Sequence, residues 1–284
     1  MLADILHYVL HIFGMCKNMS ILVSALTIAT QMAISHVVRG LIVKKLQNET
    51  LKGLLLEFVA SAELTGTAYE LMIIANNYTK YGYAPFLFLM TIWWGMSWAP
   101  ATACSYSLLE EYVETGGNTR TLIMKILAQI CGGLVSFRWV RPLWQLHFAA
   151  THVGAAKVLI NRCTADLSVP LLIGFSIELI LTCACRLVSR GLGELEPKFA
   201  SAIDSFFGTA MVLWAFETSG GYFNPILAMV KLGCKGHTNI EHVFVYWAGS
   251  ILGAMLSIKL WNTPVVHDNM LAPFKPVEEK EKDE

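Results

Sequence analysis

The chain has 284 residues, of which 55% are apolar and only 15% charged, with a mean hydropathy of +0.53 and no net charge. A soluble domain of this size needs more charge on its surface, and a neutral chain offers no electrostatic reason to hold nucleic acid. Alternating strands of about ten residues are absent, which excludes a membrane barrel and leaves an all-α protein threaded several times through a lipid bilayer.

In chain order, residues 2–14, LADILHYVLHIFG, read as an interfacial helix, since no small-residue cleavage site follows them. Apolar segments then fall at 19–42, 53–76, 83–98, 121–144, 168–189, 198–217 and 239–261. Several approach or exceed the roughly 18 to 20 residues that cross a bilayer as helix. Two further pieces, APATACSYSLLEEYV after the third segment and FNPILAMVKLGCKG after the sixth, are too short to span and too apolar for ordinary loops. Such pieces in corresponding places of two halves point to re-entrant half-helices.

The halves carry matching landmarks. Glu57 lies deep in the second segment with Ser61 four positions on, and Glu178 lies in the fifth with Thr182 four positions on. Forty-six residues separate Glu178 from Asn224, and 47 separate Glu57 from Cys104. The next segment of each half opens with glycines for close helix contact, in AQICGG and YWAGSILG. Three spanning helices and one half-helix per half is an odd count, so the halves run in opposite directions. The expected division is 1–50 as an N-terminal segment with an extra hydrophobic helix, 51–145 as the first repeat and 146–166 as a connecting loop. A second repeat follows at 167–262 and a polar tail at 263–284. Arg39, Lys44, Lys45 and Lys52 on one connection, with Arg186, Arg190 and Lys198 on another, mark the cytosolic side. Asparagine sequons occur at Asn18, Asn48 and Asn77, and their places predict little glycosylation.

The pair Asn224-Pro225 reads as a helix start. Asn is a strong N-cap, and Pro suits the first helical position because its missing N–H has no partner there anyway. The Asn224 amide is then expected to donate into the space ahead of the helix, where the helix end adds about half a positive charge. Two such ends at the midplane make a polar spot that can hydrogen-bond a neutral molecule and repel cations.

Glu-x-x-x-Ser/Thr, the paired half-helices, Asn224-Pro225-Ile226 and VYWAGSILGAML resemble the aquaporin (major intrinsic protein) family. LEFVASAELTGTAYEL, ATACSYSLLEEY and FNPILA followed by Cys234 are most similar to its unorthodox superaquaporin branch, and the likeness runs from about residue 18 to 262. It implies an inverted 3+3 helix repeat with two re-entrant half-helices, and a homotetramer with one pore per subunit. Endoplasmic-reticulum membrane is the implied location, with water, glycerol and hydrogen peroxide as permeants. Glu57 and Glu178 would accept backbone N–H groups of the re-entrant loops. By the same likeness the constriction maps to Val212, Gly221, Leu227 and Ala84 or Phe86. Two departures stand out. APA at 99–101 lies only 42 residues after Glu57, so the first motif falls on Cys104-Ser105-Tyr106, without an asparagine or proline. Leu227 stands where water channels carry an arginine, so the constriction is apolar and opposes cations less. Lining the pore and plugging it both remain open for Tyr106.

The seven cysteines (16, 104, 131, 163, 183, 185, 234) lack metal-site spacing and read as small helix-packing residues. His147, His152, His237 and His242 read as loop histidines, and no metal or cofactor is expected. The tail EEKEKDE reads as solvated. No nucleophile motif, paired aspartates or His–metal pattern supports an enzyme. The sequence therefore predicts a pore for small neutral solutes, with a non-conducting protein of the same fold as the alternative.

Overall fold

The computed structural model describes residues 16–274, so the interfacial helix expected at 2–14 and the EEKEKDE tail lie outside the described residues. Helix α1 spans Cys16–Lys45 and α2 spans Glu49–Ser97. At about 1.5 Å per residue, α2 is more than twice the roughly 30 Å hydrocarbon thickness. It crosses twice, hinged where Thr79 leaves helical geometry at φ 64°, ψ 176°. The segments expected at 53–76 and 83–98 are thus two arms of one helical run.

The short α3 (Ser105–Thr115) follows, then α4 (Thr119–Val135) and α5 (Phe137–Gln145), which together form the next crossing. A connection carrying α6 (Ala155–Arg162) leads to α7 (Leu171–Leu195) and α8 (Ala200–Ala215). After the one-turn α9 (Pro225–Ala228), α10 (Asn239–His242), a π-helical stretch and α11 (Gly249–Trp261) make the last crossing, and α12 (Pro264–Leu271) ends the described chain. Among the described residues there is no strand, only a single bridge between Thr164 and Lys235.

The first arm of α2 is the centre of the molecule, buried on nearly every side from Leu56 to Ile74. A helix enclosed all round in this way is core rather than surface. It carries three fully enclosed carboxylates, Glu57, Glu63 and Glu70. Glu63 pairs with Arg39 of α1, both buried. Arg39 was expected to mark the cytosolic connection; a partner carboxylate on the neighbouring helix lets it sit inside instead. Glu70 accepts Trp144 Nε1–H at 2.9 Å and bonds His152 Nε2 at 2.8 Å, so His152 is a loop histidine that is buried and paired.

Two helix crossings set the shape of the halves. A Cβ on Gly132 of α4 would lie 2.3 Å from Phe58 O and 3.1 Å from Ser61 Cβ; one on Gly253 of α11 would lie 2.3 Å from Leu179 O and 3.1 Å from Thr182 Cβ. Phe58 and Leu179 each follow the intramembrane glutamate of their half, and Ser61 and Thr182 stand four residues after it. Both backbones approach so closely only because glycine has no side chain. Gly132→Ala and Gly253→Ala should each cost about 1–3 kcal/mol by forcing these helices apart, read as a lower melting temperature in detergent.

Candidate functional site: two re-entrant loops and a vestibule

Each intramembrane glutamate folds a loop. Glu57 accepts the N–H of Thr102 at 3.1 and 3.2 Å and that of Ala103 at 3.0 Å, and Gln129 Nε2 donates to it at 2.9 Å. Glu178 accepts the N–H of Tyr222 at 3.2 Å and of Phe223 at 2.8 Å, with the Ser219 hydroxyl at 2.7 Å. Both loops then turn through a left-handed residue, Ala103 at φ 49° and Phe223 at φ 47°. Both reach an extended cap, Cys104 at φ −147°, ψ 119° and Asn224 at φ −151°, ψ 118°. Without a water phase at this depth, loop N–H groups need protein acceptors, and the carboxylates supply them.

The caps differ in chemistry. Asn224 Oδ1 accepts Ile226 N–H at 2.9 Å and Leu227 N–H at 3.4 Å, while Pro225 fills the first helical position. Cys104 makes no such side-chain bond. Ser105 instead donates to Gln129 Oε1 at 3.0 Å, and Gln129 also reaches Glu57. One of the two Nδ2 hydrogens of Asn224 donates at 3.1 Å to the carbonyl of Ala103, a bond between the two loops that the sequence does not announce, and the second hydrogen is not used by it.

A cavity of about 300 Å³ opens beside the junction, with Leu71, Leu87 and Trp94 at its apolar wall and Asn76, Ser168, Asp166 and Lys231 as polar groups. Of the four mapped constriction positions, Gly221 and Leu227 line it. Val212 is buried directly behind Gly221, where an added Cβ would stand 2.9 Å from Val212 O. Ala84 is half-buried, and its neighbour Tyr83 lines the cavity in its place. Ile226 is fully buried in the core. Tyr106 is half-buried outside the vestibule, near Cys104, Glu110, Cys185 and Arg186, so it does not close this mouth.

The loops above the vestibule are stapled. Cys163 and Cys234 form a disulfide, which corrects their reading as packing residues. Both sit in connections outside the spanning helices, 71 residues apart, where nothing in the spacing marks a pair. Ala165 N–H donates to Lys235 O at 2.7 Å and Lys235 N–H to Cys163 O at 3.0 Å. Lys231 Nζ bonds Asp166 Oδ1 at 2.7 Å and Thr164 O at 3.1 Å, and the Tyr222 hydroxyl donates to Asp166 Oδ2 at 2.5 Å. His237 and His242 bond ring to ring at 2.9 Å on the same side, and burial pulls His237 below the usual imidazole range. Among the described residues, no cluster of three or more His, Cys, Asp or Glu could hold a metal ion.

No family model matches the chain. Curated relatives do. Aquaporin-11 of Milnesium tardigradum is 30% identical over 207 residues, covering 72% of this chain and 73% of that protein. The chain belongs to the aquaporin family. Its relatives place this aquaporin in the superaquaporin branch. Putative aquaporin-12A of Homo sapiens is 24% identical over 64% of this chain and 61% of its own length, and aquaporin-11 of Equus caballus 21% over 73% and 76%. Five described helices of this aquaporin are long and apolar enough to cross a membrane, α2 being long enough to cross twice, which makes it a multi-pass membrane protein.

Sequence reasoning missed Gln129, the disulfide, and the Lys231–Asp166 pair. Lys231 did carry a signal, as a lone cation one turn beyond Leu227 in a membrane-depth helix, where charge is rare and functional.

Proposed function

We propose that this aquaporin is a passive channel for water and small neutral solutes such as glycerol and hydrogen peroxide, with an apolar constriction at Leu227 and Gly221, backed by Val212. The observation that carries this reading is the Asn224–Ala103 bond between two carboxylate-folded loops, beside a cavity that reaches Leu227. An apolar wall with few polar groups favours molecules that can shed part of their hydration over ions that cannot. In this reading residues 51–145 and 167–262 are the inverted repeats, and Cys104-Ser105-Tyr106 and Asn224-Pro225-Ile226 are the paired pore motifs. Glu57 and Glu178 are their supports, and the homotetramer sits in the endoplasmic-reticulum membrane. The Cys163–Cys234 bond lies at the end of α7 opposite Arg186 and Arg190, which supports an oxidising, non-cytosolic compartment on that side, as the endoplasmic-reticulum lumen and the cell exterior both are.

Stopped-flow light scattering on proteoliposomes tests the channel. Wild-type vesicles should shrink faster than protein-free ones under an impermeant osmolyte and re-swell under glycerol. Asn224→Ala, which removes both the cap and the inter-loop bond, should bring both rates down to the protein-free level. Folded wild-type protein with no flux above protein-free vesicles would instead establish a non-conducting scaffold.

A further inference from the structure

Among the described residues, α1 gives none to the vestibule wall, yet it reaches that wall from behind. Arg39 of α1 donates through Nη1 to Glu63 Oε2 on the first arm of α2, and through Nη2 to Ser97 Oγ on the second arm at 3.4 Å. His36 of the same helix packs on Trp93, with ring centroids 5.6 Å apart. Glu63 Oε1 is left over. Trp94 and Trp98 stack with ring centroids 5.0 Å apart, and both turn their indole N–H toward this carboxylate from beyond a closed hydrogen bond. Neither N–H nor Glu63 Oε1 has another partner. Trp94 is buried and also lines the vestibule. One indole therefore joins the ion pair between α1 and α2 to the space beside the loop junction.

We propose that Glu63, oriented by Arg39, is a positioning residue for the pore wall: it holds the Trp94 indole by its N–H edge, back from the passage, and so keeps the vestibule open to solutes larger than water. The assignment rests on the channel reading above. A buried indole N–H needs an acceptor, and a carboxylate attracts it strongly in a medium that screens poorly. The guanidinium of Arg39 only donates, so it fixes one carboxylate oxygen and leaves the other to the indoles. Without that acceptor, the polar edge of Trp94 gains by turning toward the polar groups of the cavity, Asn76 and Asp166 among them. The ring then stands in the passage, and the larger solute is excluded first. In this way the extra helix sets what passes a pore that it does not line.

The test compares osmotic water and glycerol permeability in proteoliposomes of wild type, Glu63→Gln and Arg39→Met/Glu63→Leu, each with and without Trp94→Ala. Glu63→Gln keeps the volume but, with its oxygen on Arg39, turns an amide N–H toward the indoles. The double variant replaces the ion pair by apolar side chains, an exchange that buried pairs commonly tolerate. In both, water flux should persist and the glycerol-to-water ratio should fall about threefold or more, as loss of one bond to a charged group allows. Adding Trp94→Ala should bring the ratio back to the wild-type value or above. An unchanged ratio in Glu63→Gln overturns the positioning role and leaves the channel standing, as does a lowered ratio that Trp94→Ala does not restore. Loss of water flux along with glycerol flux in the folded variants shows a purely structural pair and also overturns the role. Wild type that passes water without glycerol overturns it too, and folded wild type that passes neither overturns the channel itself.

Discussion

Glu178→Ala is expected to destroy the second re-entrant loop and with it all solute flux. The carboxylate is fully buried and receives the N–H groups of Tyr222 and Phe223 and the hydroxyl of Ser219. Alanine leaves two backbone donors unpaired where no water replaces the lost acceptor, at about 1–3 kcal/mol each, and adds a cavity of carboxylate size. Both penalties fall on one turn, the turn that aims Asn224. The melting temperature in detergent should drop markedly and water flux should fall to that of protein-free vesicles. Glu178→Gln keeps one acceptor oxygen but brings a donor against the loop N–H groups, so it should fall between the two. Glu57→Ala should act alike on the first loop, where Thr102 and Ala103 would lose their acceptor and Gln129 its partner. Normal melting and normal flux in Glu178→Ala would contradict the assignment of this carboxylate as the support of its loop.

The second large effect concerns the staple. Breaking Cys163–Cys234 releases a constraint over 71 residues, and loops of this length carry typical losses of about 2–4 kcal/mol. Cys234→Ser should lower the melting temperature, and mild reductant should do the same to wild type but nothing further to the variant. The local consequence is sharper than the global one. The Thr164–Lys235 bridge and the Lys231–Asp166 pair lie within three residues of the bond, so their register loosens first. Equal melting temperatures for reduced and oxidised wild type would show that the loop contacts hold without the covalent link.

What could be read from the sequence follows from which interactions leave a local trace. Helical crossings announce themselves as apolar runs, and a glutamate inside such a run stands out, which made Glu57 and Glu178 visible; that they accept loop N–H groups was implied by the family likeness. Asn224-Pro225 was visible because capping is a local interaction with its own residue preferences. The interactions that close the site are different in kind. Asn224 Nδ2 ends on the carbonyl of Ala103, and a backbone acceptor has no letter of its own. Gln129 looks like an ordinary polar residue in a helix, and only the fold brings it to Glu57, Thr102 and Ser105. Cys163 and Cys234 belong to separate connections, so no spacing rule links them. The turn of α2 falls in the break expected between 53–76 and 83–98, but nothing in the sequence marks Thr79 as the residue that leaves helical geometry.

The most direct test of the account is whether solute passes Leu227. Osmotic shrinkage would be followed in proteoliposomes carrying Leu227→Cys, before and after a bulky thiol reagent present on both sides of the membrane, with wild type as control for the native cysteines. Fast shrinkage is expected in both proteins at first, then loss of flux in Leu227→Cys after labelling while wild type keeps its rate. Full labelling of Leu227→Cys with undiminished flux would place the passage elsewhere and contradict the account.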